Sequence, residues 1–397
     1  MAKFRHDQAR QVFLCGSGSI ESLPAEIESL GVRSVCLIGS HRSLTSTAGA
    51  ATRIALASTE IIHEFDTVRP HARIADTEQI AHALVAEPPD AIIAVGGGSA
   101  SDTAKGLVIL LAEGFPLAEH CSTFTPPDRL SQVELRQPKI PVISVPTTLS
   151  GAEVTPGGGA TDSNDIKRVF WDPKVASRVV VFDSDLVAET PTMLLAQTGM
   201  NGLAHCAEAL YSKAASPLSS GLALEGARLF ASSLPKLPTS TGTTRRQTLD
   251  DALAAACIGG MVISNARVGL HHAICHVLGA AFGIPHGVAN SVMLPYVLEF
   301  NHDCTADAQR LLAGALAEGL DADPALGAAR LVALVQERTG VPPTLESAGL
   351  RQENLAAVAA GVMQDRGLFF NPKRVADASA ILDLLRRAWS GQLQVTP

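Results

Sequence analysis

Five of the twelve histidines in this 397-residue chain fall in two short segments that are otherwise apolar. The first, Gly199-Met200-Asn201-Gly202-Leu203-Ala204-His205-Cys206-Ala207-Glu208, carries a helical pattern. Asn201 and His205 are four residues apart and share a face, with Glu208 one turn further. The second holds His271, His272 and His276, the last two again at i and i+4, and closes on Pro285-His286-Gly287. Any one of these imidazoles, taken alone, reads most simply as a satisfied core histidine. The set is too costly to bury unless its members are hydrogen-bonded or coordinated, which predicts a shared polar or metal site. Three imidazoles and one further ligand suit Zn2+ or Fe2+. The obvious fourth position, 201, is Asn, whose neutral amide oxygen is a poorer donor to such a cation than a carboxylate. Glu208 substitutes only if it turns toward the histidines.

A second kind of chemistry is written at Gly96-Gly97-Gly98-Ser99, which follows the apolar run Ala91–Val95 and precedes an apolar helix containing Asp102 and Lys105. Three glycines between strand and helix let backbone N–H groups approach a phosphate without Cβ obstruction, and the helix start adds its positive end. The loop matches neither G-x-G-x-x-G nor G-x-x-x-x-G-K-[ST], and a tight turn with glycines for geometry alone is the competing reading. Gly16-Ser17-Gly18-Ser19 is a weaker Gly-Ser turn, best explained by turn chemistry.

The elements around these residues change character along the chain. Ser34–Gly39, Ala91–Val95, Pro141–Val145 and Arg178–Asp183 read as buried strands, and 76–86 between the first two as a helix. That alternation predicts βαβ units and a parallel sheet. Segment 119–138 reads as a polar surface loop and 151–165 as a loop or hairpin. Beyond Pro191, Ala-Leu-rich helical patterns cover 193–214, 219–232 and 248–280, and continue to the end. The predicted architecture is an α/β domain over 1–188 and an all-helical domain over 189–397.

Composition narrows the function classes. Hydrophobic residues make up 46% and charged ones 18%, enough apolar surface for two cores, and only 4% aromatics means those cores are aliphatic. A net charge of −8 argues against a nucleic-acid surface. No apolar run reaches 18 residues, Leu253–Ile263 being the longest candidate for a membrane span, and Met1–Asp7 carries no apolar signal core. Seven scattered cysteines without a Cys-x-x-Cys pair fit a reducing compartment, so a cytoplasmic location is expected.

The ordered set Gly96-Gly97-Gly98-Ser99-x-x-Asp102-x-x-Lys105, Pro146-Thr147-Thr148-x-x-Gly151-x-Glu153, Gly199-Met200-x-x-x-x-His205-x-x-Glu208, His272-x-x-x-His276-x-Leu278-Gly279 and Pro285-His286-Gly287 resembles the iron-containing (group III) alcohol dehydrogenases. The match runs across nearly the whole chain. It implies a dehydroquinate synthase-like architecture, with an N-terminal dinucleotide-binding domain, an all-α C-terminal domain and an active site between them. It further implies that Gly96, Gly97, Gly98, Ser99 and Asp102 hold the pyrophosphate of NAD(H) or NADP(H), with Thr147, Thr148 and Ser40 on the adenosine and ribose side. His205, His272 and His286 match three metal ligands, for Fe2+ or Zn2+ if a metal is bound, and His276 the histidine beside the nicotinamide.

Two departures point to a branch. Asn201 stands where the family has Asp, and Asn201–Tyr211, the doubled His271-His272 and Asn371-Pro372-Lys373-Arg374 resemble the maleylacetate reductases, which reduce maleylacetate to 3-oxoadipate without a metal. Pro285–Asn290, Asp102 and the long polar loop before Pro141 instead follow the metal-dependent form. The substrate is a dianion, so fixed cations are expected from protonated His271 or His272, Arg267, and Lys373 or Arg374, with His205 and His286 as hydrogen-bond donors. His276, His272, His271 and Asn201 are the expected catalytic group. The alternatives are a metal-dependent alcohol or aldehyde dehydrogenase, a lyase of the dehydroquinate synthase type, and a nucleotide-binding protein without turnover. Ser40-His41-Arg42 lacks the acidic residue that rejects a 2′-phosphate, leaving NAD and NADP both open. The resemblance also implies a homodimer acting on a small molecule, while the net charge and the lack of a long apolar run predict neither nucleic acid nor membrane as partner.

Overall fold

The computed structural model describes residues 4–394, so Met1-Ala2-Lys3 of the N-terminal reading lie outside the described residues. By internal contacts the described residues form two compact units, one of Gln8–Ser122 with Gln132–Thr190 and one of 4–7, Thr123–Ser131 and 191–394.

The first unit is built on a six-stranded sheet of β1 (Val12–Cys15), β2 (Ser34–Gly39), β3 (Glu60–Phe65), β4 (Ala91–Gly96), β7 (Val142–Pro146) and β10 (Val179–Phe182), in the order β1-β10-β7-β4-β2-β3. Every pairing is parallel. Parallel strands need covered faces, and the residues alternate accordingly. Cys36, Ile38, Ile92 and Ala94 enter one core with Leu107 and Ile109. Val35, Leu37, Ile93, Val95, Val179 and Val181 enter the other with Leu23 and Ile27. The helices of this unit are α1 (Leu23–Ser29), α2 (His41–Leu44), α3 (Thr47–Ala55), α4 (Ile74–Leu84), α5 (Gly98–Glu113) and α6 (Ser184–Val187).

Strands β2, β4, β7 and β10 fall where the sequence places them, within a residue. The edge strands β1 and β3 do not stand out in the sequence, because neither carries a continuous buried run. An edge strand need not be apolar on both faces. The polar segment 119–138 contains a hairpin of β5 (Thr123–Thr125) and β6 (Arg129–Ser131), and Gly157–Thr161 (β8) pairs with Lys167–Trp171 (β9).

The second unit is helical: α7 (Thr192–Tyr211), α8 (Pro217–Ser233), α9 (Gly242–Ala266), α10 (Leu270–Phe282), α11 (His286–Leu320), α12 (Gly327–Thr339), α13 (Leu355–Val362) and α14 (Ala378–Ser390). Its aliphatic core includes Leu270, Ile274, Val292, Val297, Val358 and Leu385. The N-terminal segment joins this unit through a reciprocal amide pair, Asp7 N to Asn265 Oδ1 at 2.7 Å and Asn265 Nδ2 to Asp7 O at 2.9 Å. Helix α9 is long and apolar enough to cross a membrane by length and composition, and it packs against α7 and α8 with Leu249, Leu253, Ala256 and Val262 buried.

The run 248–280, one helix by its apolar pattern, is two. Arg267 takes φ 66° after α9, and α10 starts afresh at Leu270. A buried carboxylate, that of Glu208, receives the amides at the new start.

Candidate active site

Helix α7 supplies Asn201, His205 and Glu208, α10 supplies His271, His272 and His276, and α11 opens on His286. Glu208 organises the group from complete burial. Its Oε1 accepts from the backbone N–H of Gly269 at 2.9 Å and of His271 at 3.2 Å, capping α10. Its Oε2 lies 2.5 Å from His272 Nδ1. The carboxylate thereby orients the His272 ring, whose Nε2 lies 3.3 Å from the accepting Oδ1 of Asn201. His271 turns the other way, its Nε2 donating to Asn290 O at 3.0 Å.

The remaining rings gather around His272. The ring centre of His205 is 4.9 Å away, nearly parallel, and that of His286 is 6.0 Å away. His276 lies parallel to His286 at 6.0 Å, and its Nδ1 is 3.0 Å from Asp365 Oδ2. The structure thus brings together His205, His271, His272, His276, His286 and Asn201. Asp365 belongs to the group, yet no motif marks it in the sequence; only the fold carries it across 89 positions to His276.

Burial sets the charge state. Desolvation pushes His271 down to about 4 and His272 to about 3, and holds His205 well below the ordinary imidazole value, with neighbouring imidazoles adding to the effect. Burial raises Glu208, against the pull of His271 and the two backbone amides. The expectation of protonated His271 or His272 is therefore corrected: both are neutral near pH 7. Lys373 is also not free to serve the group as a cation. Its ammonium is 2.9 Å from Asp303 and donates to Phe300 O at 3.0 Å, while Asn371 receives Leu270 N at 3.3 Å and thereby supports α10. Arg267 is pushed down to about 10 by burial, with Arg366 adding to the effect and Asp7 opposing it.

Two triads could be asked to hold a metal. Ligand atoms of Glu208, His271 and His272 lie within 4.8 Å of one another, but both Glu208 oxygens and His271 Nε2 are already hydrogen-bonded. His205, His272 and His286 fit a divalent cation better in donor type: neutral rings at His205 and His272, a carboxylate behind His272, and a buried His205 Nδ1 with no hydrogen-bond partner among the described residues. Asn201 adds an oxygen but no charge.

The α/β unit carries a second constellation at the carboxyl ends of its strands. Gly39 of β2 and Val95 of β4 are in register, so Ser40 sits at the same end as Gly96–Ser99. Ser40 itself caps α2, accepting from Ser43 N at 3.1 Å. A Cβ on Gly97 would lie 2.9 Å from Thr148 Cγ2, and one on Gly98 3.3 Å from Ala152 Cβ, so the glycines are needed for close approach as well as for the turn. Thr147 N donates to Gly96 O at 2.9 Å. The buried Thr148 Oγ1, beside Gly97, has no partner among the described residues, an open donor next to the backbone cradle that a pyrophosphate fits.

Below the loop, Lys105 Nζ donates to Ala152 O at 2.5 Å, Gly157 O at 2.8 Å and Thr155 Oγ1 at 3.2 Å. Burial lowers Lys105 to about 8 and raises Glu153 to about 7. Asp102 faces Lys167 at 3.5 Å.

Residues 11–184 match the family model described as iron-containing alcohol dehydrogenase, and residues 195–389 that of the Fe-containing alcohol dehydrogenase family, C-terminal. A maleylacetate reductase of Pseudomonas sp. strain P51 is 29% identical over 391 residues, 98% of each chain. Among solved structures, a 1,3-propanediol oxidoreductase superposes with a TM-score of 0.88 at 26% identity, covering 98% of this chain and 100% of the other. The maleylacetate reductase of Rhizobium sp. strain MTP-10005 superposes with a TM-score of 0.81 at 26% identity, covering 99% and 100%.

Proposed function

The chain belongs to the iron-containing alcohol dehydrogenase family and is an NAD(P)-dependent oxidoreductase, and from that premise we propose that it is a maleylacetate reductase, forming 3-oxoadipate from maleylacetate and NAD(P)H. The observation that carries this reading is the amide at 201, directed at His272 Nε2 at 3.3 Å among neutral imidazoles. A carboxylate at that position would repel a dianionic substrate and favour a metal; the amide does neither. The extended likeness to maleylacetate reductases supports the same choice.

In this reading hydride from C4 of the nicotinamide adds to the alkene carbon β to the ketone, and the alkene π pair moves onto the carbonyl as an enolate. An N–H of the buried, neutral His205, whose Nδ1 meets no partner among the described residues, stabilises that oxygen without first having to lose solvent. His276, held at Nδ1 by Asp365, returns the proton from Nε2 to the α carbon. The nicotinamide is oxidised, the alkene reduced, and one proton is consumed. With His271 and His272 neutral, the substrate carboxylates rely on hydrogen-bond donors and on Arg267 for recognition.

A second reading has one observation in its favour, the unpartnered His205 Nδ1 beside His272 and His286. These three would hold Fe2+ or Zn2+, which when bound would polarise an alcohol or aldehyde oxygen. The deciding measurement is NAD(P)H consumption with maleylacetate on chelator-treated protein, before and after metal is restored. Unchanged turnover after chelation is expected. Turnover only with metal, or with simple aldehydes and not maleylacetate, overturns the proposal in favour of the dehydrogenase.

A further inference from the structure

Two asparagines far apart in sequence meet head to tail inside the helical unit. Asn301 Nδ2 donates to Asn371 Oδ1 at 3.0 Å and Asn371 Nδ2 to Asn301 Oδ1 at 2.9 Å, and both side chains are fully buried. Asn371 also accepts from Leu270 N at 3.3 Å and donates to Lys373 O at 2.8 Å. Two bonds accepted and two donated use the whole capacity of a primary amide. An amide satisfied in this way has one orientation, since any other buries an unpaired polar group. Residue 371 is therefore fixed against both α11 and the first turn of α10.

What it anchors is the segment 365–371, whose regular structure is a single 3-10 turn, Arg366–Phe369. The other end of the segment is Asp365, which accepts from Gly367 N at 2.7 Å through Oδ1 and faces His276 Nδ1 at 3.0 Å through Oδ2. Between its ends the segment lies against the start of α10, so close that a Cβ on Gly367 would come within 2.5 Å of Gly269 O. Gly269 in turn sits between two acceptors, and a Cβ there would be 3.1 Å from Asn371 Oδ1 and 3.1 Å from Glu208 Oε1. The start of α10 is thus held from two sides. On one side is the Glu208 carboxylate, and on the other an amide in the segment that carries the partner of His276.

We infer that Asn371, locked to Asn301, is a positioning residue of the reaction: it fixes the 365–371 segment on α10 and so sets the Asp365 carboxylate against the His276 ring. This rests on the reading of His276 as the group that returns the proton. Asn371 itself is fully buried and acts through Asp365.

The test is a double-mutant cycle over the wild type, Asn371→Ala, Asp365→Asn and the pair. Each protein is measured for kcat with maleylacetate at saturating NAD(P)H, for cofactor affinity by nicotinamide fluorescence, and for thermal unfolding. Asn371→Ala is expected to lower kcat about tenfold while cofactor affinity stays within about twofold. In the Asp365→Asn background the same substitution should lower kcat by less than about twofold, because the ring is already released. A residue that only stabilises the helical unit would act equally in both backgrounds, so losses that multiply overturn the inference. A wild-type kcat in Asn371→Ala, or a loss confined to cofactor affinity, overturns it as well. Where Asn371→Ala does not fold, Asn301→Ala breaks the same amide pair from α11 and leaves Asn371 facing Leu270 N, and the same outcomes decide. Wild-type protein that turns over a simple aldehyde and not maleylacetate ends the maleylacetate reading alone, and the cycle is then read with the aldehyde. Wild-type protein that turns over neither ends the reading and the inference together.

Discussion

The phosphate loop and the histidine cluster are built by opposite means. At Gly96–Ser99 the chemistry is carried by backbone N–H groups, and the neighbouring segment Thr148–Ala152 lies so close that a Cβ at Gly97 would collide. At the histidine cluster the chemistry is in side chains delivered by three helices, and one buried carboxylate, Glu208, caps α10 and orients His272. A backbone site is local in sequence and sensitive to side-chain bulk. A side-chain site is dispersed in sequence and sensitive to the loss of the group that orders it. This contrast predicts which substitutions damage which function.

The largest effect is expected from Glu208→Ala, which strands two backbone amides and His272 Nδ1 without a partner. A loss of about 3–5 kcal/mol in urea unfolding is expected for breaking such a buried pair. A loss below about 1 kcal/mol, as for an exposed ion pair, would show that the cluster does not depend on this carboxylate. Asp365→Asn should act on chemistry instead. It leaves the fold and cofactor affinity unchanged and lowers kcat about tenfold to hundredfold by releasing the His276 ring. An unaltered kcat at saturating NAD(P)H would remove His276 from the proton step. Gly97→Ala should do the converse, weakening cofactor binding about tenfold through steric strain with little change in kcat. Equal damage to kcat would mean that the loop and the chemistry are not separable in this way.

The smallest effect, and the sharpest contrast, is in pH. Burial lowers His271 from 6.5 to about 4, so its stabilising contribution is present above pH 6.5 and is lost as pH falls through about 4. Burial raises Glu153 from 4.5 to about 7, so its contribution is present below pH 4.5 and is lost as pH rises through about 7. In the window between the two ordinary values His271 adds stability to the helical unit with rising pH while Glu153 withdraws it from the α/β unit. His271→Gln should remove its share of the first slope, leaving that of His272 and His205, and Glu153→Gln its share of the second, each on the order of 1–2 kcal/mol across the window. Urea midpoints measured from pH 4.5 to 6.5 check both, and parallel slopes in the two variants would contradict the assignment of opposite burial effects.

How much of this was legible in the sequence follows from the same physics. Strands β2, β4, β7 and β10 are buried almost throughout, so their apolar runs are unmistakable; β1 and β3 lie at the sheet edges, where the short apolar run Val12–Cys15 is only partly buried and Glu60–Phe65 is interrupted by polar residues. The break between α9 and α10 hides inside one apolar pattern, because what interrupts it is Glu208, some sixty positions upstream. The histidines are visible by type and spacing. Asp365 and Asn290 are not, since an Asp or a backbone carbonyl far along the chain carries no signal of the ring it meets.

The sequence alone therefore determined the two architectures, the glycine loop, the imidazole set and the amide at 201, because these are matters of residue type and short-range period. Only the tertiary structure decided that His271 and His272 are neutral, that the Lys373 ammonium is bound to Asp303, and that Asn371 is locked to Asn301. Charge state and hydrogen-bond direction depend on how much water is excluded and on which distant group arrives, and neither is written in the local order of residues.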